Sequence, residues 1–194
     1  MQDMEHRICG AIGFDGTTES ALNLSITLKL QKLLECSGAK VILTRSDENG
    51  IYSLDSKSIR EKKISDIKNR VELGNNSSAD IFVSIHLNKY PPSEIYRGWQ
   101  TFYQGDNESS KMLAEIIQVS IGKNIDYNNN RKPSKITDVY IMNNVKVPTV
   151  IVECGFLSNS EELSLLKDES YQYKLAWGIF TGIQDYFSRI DIKN

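Results

Sequence analysis

The stretch Ala79-Asp80-Ile81-Phe82-Val83-Ser84-Ile85-His86-Leu87-Asn88 decides how the whole chain is read. A short, mostly apolar run between polar turns is the pattern of a strand buried in a parallel sheet. His86 stands where that run gives out. In open α/β sheets, ligands and chemistry collect beyond the carboxyl ends of strands, so His86 is a candidate working residue. The only other histidine is His6. A histidine taken at random is better explained as a buried imidazole bonded to backbone. Here the strand-end position and two acidic residues met below favour a chemical role.

Around this stretch, 194 residues suffice for one domain with one core. A formal net charge of −2 argues against a broad electrostatic grip on nucleic acid or anionic membrane. No apolar run reaches the ~20 residues that span a bilayer. Met1 to Arg7 shows no basic-then-apolar leader, so the chain read literally is cytosolic. Cys9, Cys36 and Cys154 are odd in number and lack CxxC spacing, which indicates neither a disulfide framework nor a thiolate metal site.

Upstream, Gly10-Ala11-Ile12-Gly13-Phe14-Asp15-Gly16 reads as a loop in which backbone approaches something closely. No GxxxxGK[ST] follows, so it is not a phosphate loop. Thr17-Thr18 offers an N-cap for a helix over Glu19–Cys36, with Gly38 as its stop. Lys40 to Arg45 reads as a strand and Ile59 to Asn75 as a helix. Downstream come a strand at Trp99–Tyr103, a helix at Glu108–Lys123 and an irregular stretch at Asp126–Lys132. Val139–Met142 reads as a further strand, and Pro148–Phe156 as the last one, carrying Glu153 near its end. A short helix opens at Ser160, and an amphipathic one spans Tyr171–Phe187. The order predicts an α/β single domain: a mostly parallel twisted sheet with helices on both faces.

Glu19 beside the glycine loop, His86 at one strand end and Glu153 at another share one description. In a parallel sheet the two strand ends meet at one rim. A histidine and two glutamates there suit a zinc hydrolase, in which zinc is held by His and Glu while a further Glu acts as base. Spacing alone supplies two of the three ligands a catalytic zinc takes. Each residue also has a plain structural reading: Glu19 as a helix-dipole partner, Glu153 as half of an ion pair.

Gly16-Thr-Thr-Glu19, Val41-Ile-Leu-Thr-Arg45, Arg70 to Asn75, Ser84-Ile-His-Leu-Asn88 and Val152-Glu-Cys-Gly-Phe-Leu-Ser-Asn159 occur in an order that resembles one family. It is the zinc-dependent N-acetylmuramoyl-L-alanine amidases of bacterial cell walls (amidase type 3). The likeness runs over nearly the whole chain, 1–194, as one catalytic domain. Asn49–Tyr52 and Ser58–Arg70 are similar to the germination-specific, spore-cortex subgroup of clostridia and bacilli. The resemblance implies Zn2+ on Glu19 and His86, and Glu153 as catalytic acid/base. Asn88 and Arg70 are implied as substrate-binding or supporting residues. It also implies a peptidoglycan substrate, a step toward muramic-δ-lactam, and action outside the cytoplasmic membrane. Accessory partners and oligomeric state stay open.

One part of the pattern fails. The family opens with a strand leading into a Gly-His-Gly-Gly loop that supplies the remaining ligand. Matching Gly10–Gly13 to the pattern puts Met4 where that histidine belongs, and His6 lies two positions on without flanking glycines. Either the start, residues 1–9, is truncated or altered, or His6 substitutes. Loss of one ligand of three predicts weak zinc binding and a poor amidase. Two rivals therefore stand beside the amidase. One is a non-catalytic peptidoglycan- or partner-binding relic; the other is a hydrolase using Cys154 as nucleophile and His86 as base. Alternation along a strand argues against the second, because Cys154 faces away from whatever Glu153 faces.

Overall fold

Thr18 starts the first helix. Its backbone is extended and its hydroxyl accepts from the Ala21 N–H. The helix, α1, runs Glu19–Cys36 and stops at Gly38, whose φ of +89° lets the Ala39 N–H reach back to the Leu34 carbonyl. The computed structural model describes residues 10–90, 93–125 and 128–191. After α1 come α2 (Ile59–Asn76), β1 (Phe82–Asn88), β2 (Gln100–Gln104) and α3 (Glu108–Gly122). They are followed by β3 (Ser134–Ile136), α4 (Tyr140–Asn144), β4 (Thr149–Phe156), α5 (Ser160–Lys167) and α6 (Glu169–Asp191). Helix α2 begins with a complete capping box, Ser58 and Glu61 each satisfying the other's backbone N–H.

The sheet order is β1-β4-β2-β3. β1 pairs with β4 and β2 with β3 in parallel, while β4 and β2 are antiparallel. The sheet is thus parallel in two pairings of three and mixed overall. The reversal has a simple cause: residues 89–99 between β1 and β2 are too few for a helical crossover, so the chain re-enters the sheet pointing the other way.

Helices cover both faces, unequally. Val83, Ile85 and Leu87 of β1 and Val150, Val152 and Cys154 of β4 meet α1, α3 and α6 in the main core. The glycines of α6 bring it very close to α3; a Cβ on Gly178 would sit 2.6 Å from the Ile121 Cα. On the opposite face Val71 of α2 packs with Ile141 and Val145, and with Phe82, in a smaller cluster. That cluster covers only the end where β1 begins. The end where β1 and β4 finish stays open on this face.

Two expected strands are not strands. Residues 40–45 have no regular secondary structure and join no ladder among the described residues, since an apolar run becomes a strand only where a neighbour supplies backbone partners. Val139–Met142 is instead the start of α4: Ile141 and Val145, four apart, turn together toward Val71, and Gln104 caps the carbonyls of Met142 and Val145. β3, with only Ser134–Ile136, was hidden in a polar stretch. Of the irregular segment, residues 128–132 are indeed without regular structure; 126–127 lie outside the described residues.

Candidate active site

The open face is built by pleat and register. His86 of β1 and Glu153 of β4 are direct partners in the parallel ladder, so their side chains share a side. Ser84, two residues before His86, shares it too. Between His86 and Asn88 the register slips, so that Asn88 opposes Phe156 rather than residue 155. The extra residue in β4 is a bulge, and it returns Phe156 to the face that Glu153 occupies. Gly155 is required there because a Cβ would lie 2.9 Å from the Glu162 carboxyl carbon. Glu162, almost wholly buried, accepts from the N–H groups of Phe156 at 2.7 Å and Gly98 at 2.8 Å. It thereby ties the end of β4 to the loop entering β2.

Glu19 reaches this rim from the first turn of α1. One carboxylate oxygen accepts from the Ala11 N–H at 2.9 Å, and Asn23 donates to the other at 3.2 Å. The glycine loop lies against it: a Cβ on Gly10 would sit 2.6 Å from Oε2. Enclosure opposes the carboxylate charge, but bonds from His86 and the Ala11 N–H outweigh it and hold Glu19 below its ordinary pKa. Because an ionised carboxylate only accepts, His86 Nδ1–H donates to Glu19 Oε1 at 3.0 Å. Nε2 meets Ser84 Oγ, also at 3.0 Å. The His86 side chain is 41 % exposed, so a ligand can reach it. The surrounding walls disfavour its charge, yet the Glu19 bond and the field of Glu153 raise its pKa.

Glu153 differs from Glu19. Its Oε2 is buried with no hydrogen-bond partner. Burial pushes its pKa to about 7, His86 pulling down and Glu19 pushing up by smaller amounts. A carboxylate that titrates near neutrality and keeps an uncommitted oxygen can take up and release a proton. It is the one candidate in the trio with no structural bond to lose.

The remaining expected residues fall differently. Asn88 is on the site face; its backbone carbonyl accepts from Leu157 N–H, and among the described residues no hydrogen bond engages its carboxamide. Arg70 pairs with Asp66 at 2.6 Å and donates to Thr44 Oγ1 at 2.7 Å, while Asp66 accepts from the Ile51 N–H. Its contacts make it a clamp on the loop over 44–51. Cys154 is fully buried on the helix-covered face, its thiol driven far above the ordinary range by burial, so it is not a nucleophile. His6, Met4 and Cys9 lie outside the described residues.

The donor set fits zinc as far as it goes. Glu19 Oε1 and His86 Nδ1 are close enough to share one ion, and Ser84 is placed to take the N–H on the far side of the imidazole ring. Among the described residues no third His, Cys, Asp or Glu completes a ligand group.

A family model described as N-acetylmuramoyl-L-alanine amidase matches residues 5–185. The chain belongs to that family. This amidase is 36% identical over 179 residues to the germination-specific N-acetylmuramoyl-L-alanine amidase of Bacillus subtilis, covering 92% of this chain and 74% of that one. Among solved structures it resembles the CwlD amidase of Clostridioides difficile, which was determined in complex with the GerS lipoprotein. That match has a TM-score of 0.89 and 46% identity, over 92% of this chain and 91% of the other. The catalytic domain of CwlV, an N-acetylmuramoyl-L-alanine amidase from Bacillus (Paenibacillus) polymyxa, aligns with a TM-score of 0.78 and 28% identity, over 93% and 91% of the two chains.

Four residues on or bordering this face of the amidase were missed from sequence. Ser84 had a usable signal, the period of two that puts it on the face of His86. Glu162 looked like an ordinary first-turn acid, and Gln100, which opposes Glu153 in the ladder, and Arg131, which donates to Gln100, had no signal. Their positions depend on which strands become neighbours.

Proposed function

We propose that this amidase cleaves the amide between N-acetylmuramic acid and L-alanine in spore-cortex peptidoglycan, outside the cytoplasmic membrane, as a step toward muramic-δ-lactam. The reading rests on one observation: Glu153, buried with a free oxygen, stands in register beside His86, which touches Glu19. Zinc would be held by Glu19 and His86, with His6 the candidate third donor. When bound, it acidifies water and polarises an amide carbonyl. Glu153 takes a proton from the attacking water and hands it to the departing amine of L-alanine. Asn88, its carboxamide uncommitted, is available to the substrate.

The test is zinc content together with release of N-terminal alanine from purified cortex fragments. Glu153→Gln is expected to keep zinc and lose about 10²- to 10⁴-fold in turnover, whereas Glu19→Ala loses zinc. Full turnover in Glu153→Gln refutes the assignment. Met4, standing where the family pattern has histidine, favours a second reading: a binding domain with an incomplete metal site. Binding of cortex fragments without hydrolysis, even under added zinc, selects it.

A further inference from the structure

Across the ladder from Glu153 lies a cation that no acidic side chain among the described residues claims. Arg131 forms no ion pair among the described residues, although its guanidinium is half-buried and firmly held. Its Nε–H donates to the Arg97 carbonyl at 3.0 Å, and one terminal nitrogen donates to Gln100 Oε1 at 3.3 Å. Its guanidinium carbon lies 4.6 Å from the Phe156 ring centroid and 5.8 Å from that of Tyr96. Gln100 is itself fixed, its amide donating to the Lys132 carbonyl and to Ser134 Oγ. Asn129 accepts from the Arg131 N–H and donates to the Trp99 carbonyl, bracing the backbone.

The place matters as much as the geometry. Gln100 is the antiparallel register partner of Glu153, so the two share a face about 5 Å apart across the strands. Phe156 is returned to that face by the bulge. Arg131, bonded to Gln100 and stacked on Phe156, is therefore tied to the face that carries Glu153. Two anchored contacts and an aromatic floor leave its other terminal nitrogen uncommitted among the described residues. That is the arrangement of a preorganised fork for a carboxylate.

We infer that Arg131 binds a carboxylate on the peptide side of the substrate, the free α-carboxylate of the residue that follows L-alanine. This rests on the amidase reading and narrows it. Five bonds separate the scissile nitrogen from that carboxyl carbon, a reach of roughly 6 Å at ordinary bond geometry, enough to carry the carboxylate past the group that Glu153 serves. The neutral carboxamide form of the same residue would lose the charge-assisted bond.

The test uses the zinc-supplemented full chain and two glycan-linked muramyl peptides, one with D-isoglutamate after L-alanine and one with D-isoglutamine. Equilibrium binding and kcat/KM are measured for both. The wild type is expected to favour the carboxylate by about ten- to hundredfold, Arg131→Gln to abolish that ratio, and Arg131→Lys to restore part of it. A clamp that merely held the loop would weaken both ligands equally and leave the ratio intact. Equal binding of the two by wild type, no detectable binding of either, or a preference surviving in Arg131→Gln overturns the inference. A binding preference without hydrolysis supports Arg131 and counts against the amidase reading alone.

Discussion

The sharpest consequence of the buried Glu153 carboxylate is a pH-dependent cost to folding that glutamine removes. Glu153 has an ordinary pKa of 4.5 when unfolded and about 7 when folded, because burial strips water from the charged form. Its native state therefore holds more protons than its unfolded state between those values, and stability must fall as pH rises through that window. At about 1.4 kcal/mol per pKa unit, the penalty is about 1 kcal/mol at pH 5 and about 3 kcal/mol at pH 7.5. His86 adds to the same trend: its folded pKa is raised partly by Glu153, so its contribution is present at low pH and lost as pH climbs. Glu153→Gln abolishes the first effect and reduces the second. Urea unfolding of wild type and Glu153→Gln in chelator, at pH 5 and pH 7.5, should show the gap between them widen by about 2 kcal/mol in favour of the variant. Any fixed cost of introducing an amide drops out of that difference. Parallel stabilities at the two pH values would refute the reasoning, since they require Glu153 to titrate normally.

Four further outcomes are expected. Glu162→Gln removes a buried carboxylate from two backbone N–H groups and should lower unfolding free energy by about 2 kcal/mol in denaturant titration. In native protein at pH 8, thiol mapping by mass spectrometry should find the exposed Cys36 alkylated and Cys154 protected until unfolding, and Cys154→Ala should retain catalysis. Ser58→Ala breaks the capping box of α2 and should cost about 1 kcal/mol, read as a lower thermal midpoint. Gly178→Ala places a methyl group against the Ile121 backbone and should destabilise by about 1–3 kcal/mol, leaving the sheet face untouched.

Much of the architecture was legible in the chain because it depends on local chemistry. The threonine cap, the helix from Glu19 and the glycine stop at Gly38 are short-range arrangements, and they stand where the residues put them. The apolar runs ending at His86 and Glu153 are also local, and alternation within β4 correctly set Cys154 against Glu153. The misread segments were those whose state is chosen by a neighbour. Residues 40–45 have strand composition but no ladder to join among the described residues, and Val139–Met142 winds into a helix because Val71 and Gln104 meet it that way. Arg70 holds the loop over 44–51 while its charge is felt at His86, and Arg131, with no signal in the sequence, bonds to Gln100 across the ladder from Glu153.

By itself, then, the sequence determined which residues could do the work: a carboxylate at a helix tip and a histidine and a glutamate at strand ends, since side-chain chemistry and strand period are written residue by residue. Only the tertiary structure decided that His86 and Glu153 are register partners, that β2 returns antiparallel with Gln100 opposite the base, and that one extra residue in β4 turns Phe156 toward them. Register, strand order and bulges are settled by hydrogen bonds between segments far apart in the chain, where backbone groups must be satisfied whatever side chains they carry.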